Sequence, residues 1–440
     1  MKQKFVQDDT NLKPNSFLID KIELENHSGE VFQIAPITTS FQITENIILP
    51  SMILELTVFD AANFLETAPI IGQEKLRIKL SKTPPQAETQ EINLEFFVTE
   101  YPQYTRSLSE RAQTYTFKGI SEHAYNSAFI KISRSYQDPT PDEIQKILIE
   151  DLKLPEEKFV VRGEDLSKSK GIITIQDPLS AIEFLRKNSF DQKLTPFFLF
   201  QTIDGNVNFV PLSLLTGPDN PVYETYLDFR SSFQAGGNYV DEASDYYSDK
   251  NRILELASNL GMSKYKQGIR GAFGSENNYL DLSSKTYDSF TYDYSQAGLE
   301  NNSLEQKSAI STKFEILGQP INELVNANIE YIATNDQAFS EDINYGSNMK
   351  LNSYRNKAYE ALINTFEHDI VLYGDFNLNP GVKIELKFPK SIDPEEIDAD
   401  ELYDESLSGK YLITSVQHLF KGGEYYSNIR VKRDTLAVEI

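Results

Sequence analysis

Between residues 17 and 120 apolar and polar positions alternate with a period of two. Phe17, Ile19 and Ile22 form one such set, then Phe41 and Ile43, Leu54, Leu56 and Val58, Leu76, Ile78 and Leu80, and Tyr115 and Phe117. Successive side chains of a strand point to opposite faces, so this pattern predicts about seven half-buried antiparallel strands, the makings of a barrel or sandwich.

The same order of parts returns near the other end. Ile53-Leu-Glu-Leu-Thr-Val-Phe-Asp60, a loop ending Pro69-Ile-Ile-Gly72 and the strand to Leu80 are matched by His368-Asp-Ile-Val-Leu-Tyr-Gly-Asp375, Pro380-Gly381 and the strand to Phe388. After a polar insertion in each, Glu95-Phe-Phe-Val-Thr-Glu-Tyr101 matches Lys410-Tyr-Leu-Ile-Thr-Ser-Val416, and Thr114-Tyr-Thr-Phe-Lys118 matches Asn428-Ile-Arg-Val-Lys432. The expected fold is α+β but mostly β, with two similar antiparallel β-barrels. Val98 and Ile413 occupy matched sites on the inward face of that repeat.

Four regions follow: a first barrel over 13–122, an α+β unit over 123–220, an irregular stretch over 221–350 that belongs in part to the second barrel, and a helix plus second barrel over 351–440. In the α+β unit, Thr140-Pro-Asp-Glu143 has the form of a capping box before Ile144, Ile147 and Leu148. Asp177-Pro178 opens a second helix with Leu179, Ile182, Phe184 and Leu185 inward, and Asp204-Gly205-Asn206 marks a hairpin. The irregular stretch predicts a helix near 319–333 and a strand at Tyr287–Tyr294. A further helix over 353–366 has Ala358, Ala361, Leu362 and Phe366 on one side.

Composition narrows the function. With 66 Asp and Glu against 42 Lys and Arg, the formal net charge is -24, so binding to nucleic acid or an anionic membrane is opposed, while a surface past which DNA slides suits the sign. There are no cysteines, which removes disulfides, thiolate metal sites and cysteine nucleophiles together. No apolar signal region opens the chain, and no run of about 18 apolar residues occurs.

Chemistry is hard to find. Gly-x-Ser-x-Gly, His-Glu-x-x-His, the phosphate-binding Gly-x-x-x-x-Gly-Lys-Ser/Thr and a Gly-x-Gly-x-x-Gly after a strand are all missing. The 4 histidines lack metal-ligand spacing. Glycosidases need only two carboxylates, and pairs are uninformative among 66 acids. Asp393, Glu395, Glu396, Asp398, Asp400, Glu401, Asp404 and Glu405 form an acidic run. It suits a divalent ion by ligand type but lacks the glycine and rhythm of an EF-hand, so it reads as a solvated or partner-contacting loop. No catalytic residue, cofactor or metal is expected.

The tail, Gly374-Asp-Phe-Asn-Leu-Asn-Pro-Gly381 with Ser408–Phe420 and Tyr425–Asp434, resembles the end of the baseplate hub protein of contractile-tailed phages of the T-even type. Phe59-Asp60, Asn63-Phe-Leu65 and Pro69-Ile-Ile-Gly72-Gln-Glu-Lys-Leu76 are similar to the first tube domain of those hubs. The resemblance implies a homotrimer whose two tube domains per subunit make a pseudo-sixfold hollow ring. One face would meet the sixfold tail tube or its initiator and the other a trimeric central spike, among other baseplate proteins. The protein would then be a virion component assembled in the host cytoplasm, with DNA only passing through. The chain ends at Ile440, soon after the last repeat strand, so the spike is expected to be a separate protein. A wall-degrading hydrolase and a carbohydrate-binding β-protein are the other classes, and oligomeric mass separates them from a hub.

Overall fold

The computed structural model describes residues 13–83, 88–100, 102–106, 112–137, 139–167, 170–228, 250–259, 261–294, 303–305, 307–308, 311, 313–324, 328–334, 345–390 and 403–436. The alternating segments of the front region are strands β1 (Leu18–Glu25), β2 (Val31–Gln33), β3 (Thr38–Asn46), β4 (Ile53–Asp60), β5 (Lys75–Lys82), β6 (Gln90–Val98), β7 (Gln103–Arg106) and β8 (Gln113–Ser121). They pair in the order β3-β4-β8-β6-β5-β1-β2, with β7 on β8 beyond the end of β6. The short turn Ala35–Ile37 carries the chain from β2 back to β3, held by Ile34 N–H on the Ile22 carbonyl. Leu24, Ile43, Leu54, Leu56, Val58, Leu76, Leu80, Phe96, Val98 and Phe117 fill the core with no exposed surface. Ile19 was expected inward and is 39% exposed, although the β1–β5 register shift between Ile19 and Lys21 sets it opposite the buried Leu80.

The middle unit holds β9 (Ile132–Tyr136), β10 (Phe159–Val161), β11 (Gly171–Gln176), β12 (Phe197–Gln201) and β13 (Val207–Pro211). β12 and β13 form the expected hairpin across Asp204–Asn206. The helix Thr140–Lys146 and the π-turn Ile147–Asp151 bury Ile144, Ile147 and Leu148. The capping box does not form: Pro139 is the N-cap, and the Thr140 hydroxyl bonds Ser167 Oγ at 3.1 Å instead. In the helix Pro178–Lys187 the Asp177 carboxylate does cap Ser180 N–H, but Phe184 is 39% exposed rather than inward.

Next come β14 (Val222–Asp228), β15 (Arg252–Ile253), β16 (Glu255–Asn259), β17 (Gly274–Asp281), β18 (Thr286–Asp293), β19 (Lys307–Ser308), β20 (Glu315–Ile316), β21 (Gln319–Pro320) and β22 (Ile329–Thr334). β18 is the Tyr-rich strand anticipated from sequence. A helix over 319–333 is absent among the described residues there, where the chain makes the short turn Ile321–Glu323 and β22, laid parallel to β17. Alternating exposure in Ile329–Thr334 is a strand's period, and sheet pairing wins over weak helical propensity. The last helix runs Tyr345–Leu362 and buries Ala358, Ala361 and Leu362. Phe366, expected on its apolar side, instead begins the next strand.

The chain closes with β23 (Phe366–Tyr373), β24 (Lys383–Lys387), β25 (Gly409–Lys421), β26 (Glu424–Arg433) and β27 (Thr435–Leu436). Here the duplication becomes explicit. The first copy pairs β5-β6-β8-β4, the second pairs β24-β25-β26-β23, and every ladder in both is antiparallel. The second copy is a closed ring, since β14 pairs β24 on one side and β15 on the other, and β16, continuing from β15, pairs β23.

The ladders correct the sequence alignment. Val98 lies opposite Gly119 and Gly119 opposite Leu54, whereas Ile413 lies opposite Val431 and Val431 opposite His368. With Val98 set against Ile413, whose amides make like bonds to the Glu74 and Val382 carbonyls, Leu54 falls against His368, one residue away from the match of Ile53 with His368. Aligning on the chemically similar Asp60 and Asp375, which both accept an amide two residues on, slips the strand by one. A one-residue slip exchanges the two faces of a strand. Likewise Gly119 corresponds to Val431 rather than Arg433, an even shift that leaves faces unchanged.

Candidate functional site at the sheet junction

The two copies meet through one strand. β3 pairs β4 of the first copy on one edge, and on its other edge pairs β25 of the second, from Ser40 opposite Lys421 to Asn46 opposite Ser415. Phe41, Ile43 and Glu45 point inward along β3. Phe41 stacks on Phe420 directly opposite, with ring centroids 4.4 Å apart. Glu45, at the same parity, carries an acid into this apolar seam.

Glu45 and His418 are both fully buried. Glu45 Oε1 lies 3.2 Å from His418 Nε2, and His418 Nδ1 lies 2.7 Å from the Tyr425 hydroxyl. Burial pushes the Glu45 carboxyl up, against the opposing pull of His418, and Glu45 Oε2 has no hydrogen-bond partner. An acid, an imidazole and a phenol drawn from three strands thus bridge the copies with no exposed surface.

Lys82, at the end of β5, reaches across the same seam. Its ammonium donates to the Pro14 carbonyl at 2.7 Å and to the Gly374 carbonyl, and lies 5.4 Å from the centre of the Tyr425 ring. Burial lowers it to about 8. Gly374 is required there, because a Cβ would sit 2.1 Å from the Tyr425 ring. Asp375 beside it pairs with Lys250 at 3.0 Å and accepts from the Tyr223 hydroxyl at 2.8 Å. Burial pushes its carboxyl up, but Lys250 and these hydrogen bonds outweigh that and hold it below the usual range.

This chemistry fastens one sheet to the other. Among the described residues no group of three or more His, Asp or Glu is placed to hold a metal, and no helix is long and apolar enough to cross a membrane. The described cleft lined by Arg270, Glu330, Lys357, Glu360 and Asn364 has Lys357 already paired to Glu330.

The residues singled out from sequence fall in different places. Val98 and Ile413 are fully buried, in separate cores, at corresponding ladder positions. Asp393, Glu395, Glu396, Asp398, Asp400 and Glu401 lie outside the described residues. Asp404 forms a turn, accepting from Ser406 and Leu407 amides, and Glu405 follows it in that turn. Sequence reasoning placed His418 in or beside a strand and weighed it only as a metal ligand or base, and it missed Glu45 and the pairing of the two. The signal was present: each is a titratable residue at core parity between apolar neighbours, Ile43 and Glu45 in β3, Val416, His418 and Phe420 in β25.

No family model and no curated protein matches the sequence. Solved structures do. The chain is similar to a tail protein from Neisseria meningitidis, at 9% identity and a TM-score of 0.53, over 95% of this chain and 97% of that one. It is also similar to the 43 kDa tail protein of prophage MuSo2 from Shewanella oneidensis, at 12% identity and a TM-score of 0.51, over 96% of this chain and all of the other. At identities this low the likeness is one of fold. The fold is that of phage tail proteins, mostly β with large antiparallel sheets, and it extends over nearly the whole chain.

Proposed function

We propose that this protein is a structural baseplate hub of a contractile tail. Three copies form a ring of six like sheets around an open channel, which presents sixfold repetition to the tail tube or its initiator and threefold symmetry to a central spike. The observation that carries this reading is the duplication: the same four-strand order occurs twice in one chain, and the copies join edge to edge through β3. A head-to-tail joint of this kind, repeated, generates a ring when the rotation closes. Tail proteins that share the fold over nearly their full length support the structural role. The net charge of -24 suits a channel that lets DNA pass without holding it. In this role no residue does covalent chemistry, and the partners are the chain itself, the spike trimer, the tube and other baseplate proteins of the virion.

The test is mass and shape. Light scattering on the purified chain, alone and with the product of a neighbouring spike gene, should read three copies, and end-on electron micrographs should show six lobes around a hole. A chain that remains monomeric with the spike present ends the proposal.

A further inference from the structure

Internal duplication predicts how one subunit meets the next, provided the hub reading above holds. Within the chain, the junction consists of the strand flanking β4, which is β3, laid against the far half of β25. Each partner has a counterpart in the other copy. β16 flanks β23 as β3 flanks β4: Ser258 lies opposite His368, as Ile43 lies opposite the corresponding Leu54. β7 lies on β8 as the far half of β25 lies on β26: Tyr104 is opposite Tyr115, and His418 is opposite Ser427. The same match runs on without a register shift, since Tyr115 and Ser427 lie opposite Val58 and Leu372, four residues along β4 and β23 from Leu54 and His368. Among the described strands β7 is laddered to β8 alone, and β16 to β23 alone.

We propose that β16 of one subunit pairs antiparallel with β7 of the next, in the register that β3 and β25 already show. Ile43 opposite His418 becomes Ser258 opposite Tyr104 of the neighbouring copy. Gln42 opposite Leu419 becomes Ala257 opposite Thr105, and Thr44 opposite Gln417 becomes Asn259 opposite Gln103. Direction is consistent, because β3 and β25 are antiparallel and each counterpart runs the same way within its own copy. The occupant of the β7 edge is thus a second copy of this chain. Three joints inside subunits and three between them alternate around the ring, and the main-chain groups along both strands are satisfied.

The absence of cysteine makes a clean test possible. Two double variants are prepared, Thr105→Cys with Ala257→Cys, and Tyr104→Cys with Ser258→Cys. Adjacent antiparallel pairs alternate between close and wide spacing, so one of the two places its sulfurs within disulfide reach. Oxidation of the trimer, whether it forms alone or with its spike, should shift at least one double variant from the one-chain to the three-chain band without reductant. Single variants should stay at the one-chain band, because no second sulfur faces the introduced one. Unmodified protein provides a second readout: those amides of 103–105 and 257–259 that face away from β8 and β23 should exchange about tenfold or more slowly in the trimer than in the dilute monomer. A trimer that neither cross-links in either double variant nor protects these amides overturns the assignment of edges and leaves the hub reading standing. A chain that stays monomeric with and without its spike removes both.

Discussion

The second copy of the repeat is the more complete of the two, and the difference shows where the first is left open. β25 runs unbroken over Gly409–Lys421 and turns through Gly422 and Gly423, with φ of 63° and 82°, into β26. That pair of left-handed residues suits a tight hairpin. The first copy splits the same path into β6 and β7 across residues 99–102. The far half of β25 has partners on both edges, β26 and β3, whereas β7 has β8 alone among the described strands. The outer neighbour also differs, since β5 has β1 antiparallel and β24 has β14 parallel. A shared four-strand order survives these changes because the strands that define it bury one face each, and register is strongly fixed wherever a face is buried.

The matched core sites give the largest expected effect. Val98→Asp and Ile413→Asp each bury an unpaired charge where no surface is exposed, and each should destabilise its copy by about 4 kcal/mol or more. Both amides donate to a carbonyl ahead of the neighbouring strand, Val98 to Glu74 and Ile413 to Val382, but the Ile413 carbonyl also accepts from Gly381, so Ile413 should be the worse. Denaturant melts of the two variants would show it. A well-folded, fully stable Ile413→Asp protein would falsify the equivalence of the two cores.

The seam between the copies is next. Glu45→Ala removes the partner of a buried imidazole and leaves a cavity, and should cost about 3 kcal/mol. Glu45→Gln preserves the shape and the contact with His418 while removing the charge, so it should stay within about 1 kcal/mol of the parent. If both variants melt together with the parent, the junction is held by the β3–β25 ladder and its aromatic stack, and the buried polar chain contributes little.

Acid should act on the second copy through His368. Its ring lies between Ser258 Oγ and the Tyr411 hydroxyl, each 3.1 Å away, and burial, aided by nearby Arg433 and opposed by Asp369, lowers it to about 4. In the unfolded chain the same ring titrates near 6.5. Between those values the unfolded state holds the extra proton, so stability falls as pH drops through that window. From pH 7 to 5 the loss from this group is about 2 kcal/mol. His368→Gln should flatten the difference in melting temperature between those two pH values; an equal pH dependence in the variant would assign the effect to other groups. Leu54, the matching residue of the first copy, has nothing to titrate.

Much of this organisation was legible in the chain. Alternating apolar residues specify faces directly, so the strands of the front region, the hairpin at Asp204–Asn206 and the buried stripe Ile144, Ile147 and Leu148 follow from spacing alone. What failed depended on competition or on distance. The Thr140 hydroxyl chose Ser167 over its own helix end, Phe366 was claimed by β23, and the stretch ending in Ile329–Thr334 was claimed by a parallel neighbour in β17. The strand β3 looked like any other half-buried strand. Its role in joining the copies rests on a partner more than 350 residues away, which local pattern cannot reveal.

The smallest expected effect is also the most specific to the duplication. Thr99 and Thr414 occupy the same place in the two copies, and each hydroxyl donates at 3.2 Å to the carbonyl of the corresponding residue across the ladder, Lys118 in one case and Arg430 in the other. Thr99 also sends its amide to the Lys118 carbonyl at 2.9 Å, so the first copy keeps a backbone bond there. In the second copy the register shifts between Ile413 and Ser415, leaving Thr414 inside a bulge, and its side chain is buried. The hydroxyl therefore contributes more in the second copy, where water cannot replace it at the Arg430 carbonyl. Thr414→Val should cost about 1 kcal/mol, whereas Thr99→Val, at an exposed site, should cost a few tenths. Paired denaturation curves resolve a difference of that size. Equal losses at the two sites would mean that the bulge in β25 is held by its neighbours β3 and β24, and that the matched threonines mark common ancestry of the copies without supporting their present stability.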